Sequence, residues 1–294
     1  MPDAKFADPR LAPLYDLFDS DRSDLGAYMV MVEEFGARRI LDVGCGTGVF
    51  AVMLAARGYE VIGVDPAAAS LDVARSKPGA DEVRFLLGDA TSLPALQVDL
   101  VTMTGNVAQV FISDAEWMAT LAGIHDALRP GGRLVFESRD PGRRVWEDWR
   151  REWAPERVEL AGVGVIESQA EVIRVEDSLV TFDEAITFPD GTVVPTSSTL
   201  RFRERDELAA SLIAAGFQVD DVRDAPDRPG HEFVFVASRQ PPAASQLGAD
   251  AGYGLNARTG EVLSSNTAAP IPFQRYCPLQ VGNIAGTGLE RATT

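Results

Sequence analysis

The segment ILDVGCGTGVF, residues 40–50, constrains this chain more than any other. An apolar run of strand type enters it, and an apolar run of helical spacing leaves it. Between them Gly44, Gly46 and Gly48 permit a turn and a close backbone approach that a Cβ would obstruct. The helix that follows offers unbonded N–H groups at its start. Strand, glycine turn and helix in this order open a βαβ unit, which leads to a parallel sheet with right-handed crossovers.

The alternation extends in both directions. Leu25, Tyr28, Met29, Val32 and Phe35 recur at helical spacing, which predicts an amphipathic helix over residues 23–36. RRILDVG reads as a buried strand, GVFAVMLAARG as a helix closed by Gly58, and EVIGVD as a second strand. The helix AASLDVARS ends at Pro78-Gly79, and the strands VRFLLGD and LQVDLVTMTG follow. Ser113 and Glu116 form a capping box. The helix it opens carries Trp117, Leu121, Ile124 and Leu128 on one face and is expected to stop at Arg129-Pro130-Gly131-Gly132, before a fifth strand, RLVFES.

After Asp140 the pattern changes. RRVWEDWRREW predicts a short helix with Trp146, Trp149 and Trp153. Residues 157–203 alternate as antiparallel strands, with Pro189-Asp190-Gly191 as a hairpin turn. The helix RDELAASLIAAG and the strands FQVDDV and EFVFVAS then complete the core, the last pair antiparallel. The expectation is an α/β three-layer sandwich with a mostly parallel seven-stranded sheet, its last strand antiparallel, and an antiparallel β insertion between strands five and six. Its parts are an N-terminal helical cap (1–36), a ligand-binding core (37–140), the insertion (141–203), the end of the core sheet (204–239) and a low-complexity tail (240–294). The tail is rich in small residues and Pro and lacks periodicity, so it is expected to be disordered. Its IPFQRYCPL stretch, residues 271–279, is either an interaction motif or part of an extension with no function.

The charge excludes several partners. Lys and Arg number 27 against 44 Asp and Glu, a net −17. Such a surface repels phosphate backbones, so general nucleic-acid binding and attachment to anionic membranes are disfavoured. No window approaches the roughly 18 apolar residues that span a bilayer. MPDAKFADPR has no apolar signal core, and the two cysteines, Cys45 and Cys277, have no bridge or zinc spacing. A cytoplasmic protein without a metal site is expected.

The glycine loop also narrows the ligand. A dinucleotide fingerprint would place its third glycine at position 49, where Val49 stands, and no G-K-[ST] follows. The loop therefore argues for a nucleoside-like ligand without a pyrophosphate. Asp65 ends the second strand, 19 residues beyond Gly46, where a carboxylate can accept both ribose hydroxyls. Asp89, after the third strand, can accept from an adenine amine. All three elements fall at carboxyl ends of adjacent strands, where open α/β sheets bind ligands.

In this order ILDVGCGTG, VIGVD, GDA and DALRPGGRLVFES resemble the class I S-adenosylmethionine (SAM)-dependent methyltransferases, a Rossmann-like family, over roughly residues 10–239. The resemblance implies SAM as cofactor, with Asp42, Gly44, Gly46 and Gly48 around the methionine moiety. It implies Asp65 on the ribose, Asp89 and Ala90 framing the adenine, and Thr104, Gly105 and Asn106 facing the sulfonium and the acceptor. Tyr15 and Arg22 fall in the N-terminal segment that caps the cofactor in many members.

The reaction implied is in-line displacement at the sulfonium methyl, where alignment alone contributes about 7–11 kcal/mol. Candidates for a base are Glu137, Arg139 and His231. The segment MTGNVAQVF differs from the N-P-P-Y sequences of base amino-methylation, and Cys277-Pro278 reverses the Pro-Cys of cytosine methylation. A small-molecule acceptor is therefore expected, enclosed by the N-terminal helix, Asn106–Phe111 and the insertion. The insertion serves as a lid or, alternatively, as a homodimer surface. Asp99 and Cys45 read as structural, His125 as a surface residue, and the three tryptophans as lid packing. Two other readings stay open: a catalytically silent SAM-binding sensor or scaffold, and a SAM-fold enzyme of different transfer chemistry, such as aminopropyl transfer.

Overall fold

The structure, a computed structural model, describes residues 2–152, 154–160 and 162–240. The expectations for Trp153 and for the tail from residue 241, including IPFQRYCPL, lie outside the described residues. The strands are β1 (Arg39–Val43), β2 (Glu60–Asp65), β3 (Val83–Leu87), β4 (Val98–Met103), β5 (Leu128–Arg139), β6 (Glu156–Leu160), β7 (Gly164–Glu176), β8 (Leu179–Thr187), β9 (Val193–Arg201), β10 (Phe217–Asp224) and β11 (Glu232–Arg239). The α-helices are α1 (Ala4–Ala7), α2 (Tyr15–Phe18), α3 (Leu25–Glu34), α4 (Val49–Ala55), α5 (Ala68–Ser76), α6 (Asp114–Ala127), α7 (Trp146–Glu152) and α8 (Arg205–Ala214).

The main sheet has seven strands in the order β10-β11-β5-β4-β1-β2-β3. All run parallel except β11, which is antiparallel to both its neighbours. Helices cover both faces, so the central strands are apolar on both sides rather than alternating with polar residues. Leu41, Val101, Leu134, Phe136 and Phe235 face α6 and α8, meeting Trp117, Leu121, Ile124, Leu208 and Leu212. Ile40, Val61, Leu100, Val135 and Val236 face α3 and α4, meeting Leu25, Tyr28, Val32, Phe50 and Leu54. Each such fully buried side chain contributes about 1.5–3 kcal/mol.

Local signals set the boundaries. Ser113 accepts from Glu116 N while the Glu116 carboxylate accepts from Ser113 N, so the capping box starts α6. Gly58 takes a left-handed φ of 84° after α4. In one place the expectation fails. Arg129-Pro130-Gly131-Gly132 does not form a turn ahead of the strand but lies within β5, where the register jumps from Val98↔Leu128 to Leu100↔Arg133. The extra residues are taken up as a bulge, which tolerates both proline and a left-handed Gly131. His125 is likewise not a plain surface residue. It is half-buried, with its ring edge-to-face on Phe217 at 5.4 Å.

The insertion forms a separate antiparallel sheet, β6-β7-β8-β9, and its first strand was not marked out by the alternation of residues. One face is covered. Leu11 and Leu14 of the N-terminal segment pack on Ile166, Ile186 and Val194. Trp146 of α7 packs with Val172, Val180 and Phe202. Asp99 is structural as expected: it accepts from Arg38 N and Arg39 N, both at 2.9 Å, and pairs with Arg129.

Candidate functional site

At the carboxyl end of β1 the chain turns through Gly44, Gly46 and Gly48, with φ of 71°, 52° and 76°. Gly44 N and Cys45 N donate to the Val64 carbonyl at 2.8 and 3.2 Å and fasten the loop to β2. The sequence reading assigned ligand clearance to both Gly46 and Gly48; the structure divides the roles. A Cβ at Gly48 would lie 2.8 Å from Ala74 Cβ and 3.0 Å from Phe85, so that glycine serves packing against α5. A Cβ at Gly46 would meet nothing within 4 Å. The open side of the loop is therefore at Gly46.

Asp65 closes the other side. Its carboxylate accepts from Gly46 N at 2.9 Å and Ala67 N at 2.8 Å, one bond per oxygen. Each oxygen retains a lone pair for a further donor. Burial raises the Asp65 pKa above the usual carboxylate value, opposed by these two backbone bonds. Beneath the loop Asp42 is 2% exposed and accepts from the Thr102 hydroxyl at 2.9 Å. Burial pushes its pKa to about 7. Burial also drives the Cys45 thiol well above its ordinary pKa, so it is a packing group and not a nucleophile. Asp89 stands exposed at the end of β3 and caps its own turn, accepting from Thr91 N at 2.8 Å, while Ala90 beside it is buried.

Two residues that the sequence did not single out tie the N-terminal segment to this loop and to α5. Thr47 donates its hydroxyl to Asp16 Oδ1 at 2.5 Å, and Asp16 also pairs with Lys77. Ser70 Oγ donates to the Phe6 carbonyl at 3.0 Å. Tyr15, next to Asp16, is half-buried; desolvation and Asp19 raise its phenol to about 12, with Arg22 and Arg139 opposing. Arg22 pairs with Asp24 at 3.4 Å. Lys5, further along the same segment, reaches Glu184 of β8 at 2.8 Å. The segment thus bridges the glycine loop and the insertion sheet.

The ends of β4, β5 and β11 meet in a second cluster. Thr104 is half-buried, and beyond it Gly105 and Asn106 both take left-handed φ, 71° and 60°. Asn is one of the few residues with a side chain that tolerates this region. Glu137 holds the turn: its Oε1 accepts from Gly105 N at 2.6 Å and Asn106 N at 3.0 Å, and its Oε2 accepts from the Tyr28 hydroxyl. Burial, followed by the nearby Glu232 charge, raises the Glu137 pKa.

Glu232 Oε1 accepts from Asn106 Nδ2 at 3.2 Å and from Arg228 Nη1 at 2.8 Å. Arg139 lies 3.7 Å from the same carboxylate, donates to Gln109 Oε1 at 2.8 Å, and sits 5.3 Å over the Trp149 ring. Two buried amide atoms, Asn106 Oδ1 and Gln109 Nε2, have no partner among the described residues. Beside this cluster is a cavity of about 580 Å³ whose walls include Arg139, Trp149, Arg228, His231 and Glu232. A second cavity of about 450 Å³, by Phe35 and Arg133, lies at the opposite ends of the strands and touches none of these residues.

The loop and the cluster are in contact. A Cβ on Gly44 would lie 2.7 Å from Val107 Cγ2, the residue after Asn106. Val107 thus packs on the glycine loop at Gly44, while its neighbour Asn106 is hydrogen-bonded to Glu232 of the cavity wall. Among the described residues no group of three or more His, Cys, Asp or Glu is placed to hold a metal ion, and no helix is long and apolar enough to cross a membrane.

Residues 40–132 match the methyltransferase domain family. Over 145 residues the chain is 34% identical to a cypemycin N-terminal methyltransferase from a Streptomyces species, covering 48% of this chain and 59% of that protein. It is 37% identical over 136 residues to a demethylmenaquinone methyltransferase from Deinococcus radiodurans, covering 43% of this chain and 56% of that protein. The chain thus spans little more than half the length of these relatives. An S-adenosylmethionine-dependent methyltransferase from Clostridium acetobutylicum has the same fold, with a TM-score of 0.63 at 16% identity over 79% of this chain and 98% of its own. So does an amino pentose methyltransferase from Micromonospora echinaspora, solved with SAM bound, with a TM-score of 0.62 at 24% identity over 77% of this chain and 97% of its own.

Proposed function

We propose, from the match of residues 40–132 to the methyltransferase domain family and from the fold shared with solved SAM-dependent methyltransferases, that the chain binds SAM at the glycine loop and moves its methyl group to a small molecule. The observation that carries the reading is the pairing of Gly46 with Asp65. One is the loop position open to a ligand, and the other is a half-engaged carboxylate bonded to it. This pair fits a ribose with two vicinal hydroxyls. The absence of a third loop glycine at Val49 speaks against a pyrophosphate there.

When bound, SAM supplies a methyl group on a positively charged sulfur, a leaving group that needs no acid. The chain's contribution is therefore alignment and enclosure. Asp65 holds the ribose side, and Asp89 and Ala90 border the base. Asp42 supports the loop from below through Thr102. Tyr15 and Arg22 belong to the segment that Asp16 fastens across the loop. Thr104, Gly105 and Asn106 face the sulfonium, and the cavity by Arg139, His231 and Glu232, to which Asn106 is hydrogen-bonded, takes the acceptor. Glu137 is a positioning residue, since three hydrogen bonds engage its oxygens within the protein. The insertion sheet and the N-terminal segment exclude water, as lids do in many enzymes.

The test is incubation of the protein with methyl-labelled SAM and a small-molecule extract, followed by mass spectrometry. A single labelled small molecule is expected. SAM binding without any labelled product would favour the sensor or scaffold reading.

A further inference from the structure

We propose that Tyr28 is a positioning residue that acts through Glu137: the pair holds the Gly105–Asn106 turn in the shape that methyl transfer needs, and does so only while Glu137 carries its charge. This inference rests on the proposed SAM site and adds a proton-dependent control of its rate. Tyr28 is 3% exposed, its ring lies edge-to-face on Phe50 of α4, and its hydroxyl donates to Glu137 Oε2. Glu137 Oε1 accepts from two consecutive backbone N–H groups, Gly105 at 2.6 Å and Asn106 at 3.0 Å, both with left-handed φ. Successive N–H groups converging in a turn form a concavity suited to an anion. A left-handed residue that carries a side chain persists only where its surroundings hold it. Val107, the next residue, packs on the glycine loop, where a Cβ at Gly44 would lie 2.7 Å from its Cγ2. A turn that relaxes is therefore felt at that loop.

The surroundings make Glu137 the carboxylate that gains a proton as pH falls. Its buried neighbour Glu232 has Arg228 at 2.8 Å and Arg139 at 3.7 Å. Glu137 is held by neutral donors, the two amides and the Tyr28 hydroxyl. The charged groups that act on it are Arg139 from its own strand, and Arg228 and Glu232 from the loop before β11 and β11 itself; Asp227 of that loop acts on Tyr28. Burial and the Glu232 charge favour the neutral acid, and the three donors favour the carboxylate. Burial, followed by the Glu137 charge, raises the Tyr28 phenol, so it keeps the proton that it donates. Without that O–H the neutral acid forms at higher pH. A neutral Glu137 offers the two amides an uncharged oxygen, and hydrogen bonds to a charged group are roughly twice as strong.

The test reads the turn and the rate separately. The amide protons of Gly105 and Asn106 are followed by NMR as pH is lowered, in protein saturated with S-adenosylhomocysteine (SAH). Both should shift with one midpoint. Tyr28→Phe keeps the buried ring and should raise that midpoint by about 1–2 pH units, the worth of one hydrogen bond to a charged group. Glu137→Gln cannot titrate and should leave both amides flat. The pH profile of kcat is then taken with saturating SAM and the acceptor identified by labelling. Its acid limb should share the amide midpoint, rise by the same amount in Tyr28→Phe and vanish in Glu137→Gln. Above its limb Tyr28→Phe should recover the native kcat, whereas a merely structural residue would lower the rate at every pH. An acid limb set by the acceptor itself would not move with Tyr28. Amides that do not titrate, a midpoint that Tyr28→Phe leaves in place, or a kcat limb that stays while the amide midpoint moves overturns the proposal. If Tyr28→Phe does not fold, a limb that persists in Glu137→Gln overturns it and a lost limb supports it. Failure to bind SAH, or SAH binding with no acceptor labelled, would fell the transfer reading and this proposal with it; the other contrary outcomes fell the proposal alone.

Discussion

The Thr47 hydroxyl donates to the Asp16 carboxylate at 2.5 Å, joining the centre of the glycine loop to a segment 31 residues earlier in the chain. The same carboxylate pairs with Lys77 beyond α5. A nucleoside on the open side of the loop would lie next to this latch. Thr47→Val removes the hydroxyl and keeps the shape. It should speed SAH dissociation about tenfold, the worth of one hydrogen bond to a charged group. Stopped-flow displacement reads this directly, and an unchanged dissociation rate would show that the segment does not restrain the ligand.

The glycines separate packing from binding. Gly48→Ala places a methyl 2.8 Å from Ala74 Cβ and keeps a left-handed φ. It should lower stability by about 2–4 kcal/mol, combining backbone strain with overpacking. Gly46→Ala meets open space and should cost only about 1–2 kcal/mol of stability, from φ alone. Its loss of SAH affinity should be the larger effect. Urea unfolding and calorimetry on both variants check this, and reversed effects would contradict the assignment.

Asp42 makes stability depend on pH. Its pKa rises from 3.8 to about 7 through burial, with Thr102 opposing. Between those values the folded chain keeps a proton that the unfolded chain has lost. Stability therefore falls as pH rises through that window, by on the order of 3–4 kcal/mol in total. Asp42→Asn cannot titrate and should flatten this part of the profile. Urea midpoints taken across the window for both proteins decide it; equal slopes would assign the dependence elsewhere.

Much of the fold was legible because its signals are local. The Ser113–Glu116 box, Gly58 and the Pro189-Asp190-Gly191 turn act within a few residues, and the strands between them are short apolar runs. The bulge at Pro130 was not legible, since only its pairing with β4 shows that the chain is already in the sheet. The candidate site divides the same way. Asp65 could be placed from its distance to the loop along the sequence. Tyr28 on Glu137 spans 109 positions and Asn106 on Glu232 spans 126, and neither pair has a spacing that marks it. Such contacts follow from which strand ends the topology brings together, as does the role of Asp16.

The claim at the centre is that Gly46 and Asp65 together hold the adenosyl end of SAM. Calorimetric titration of SAH into the protein and into Asp65→Ala tests it most directly. One site per chain is expected, weakened by about 1.5–3 kcal/mol in the variant. Equal affinity in both proteins, or no heat from SAH while NADH binds, would contradict it.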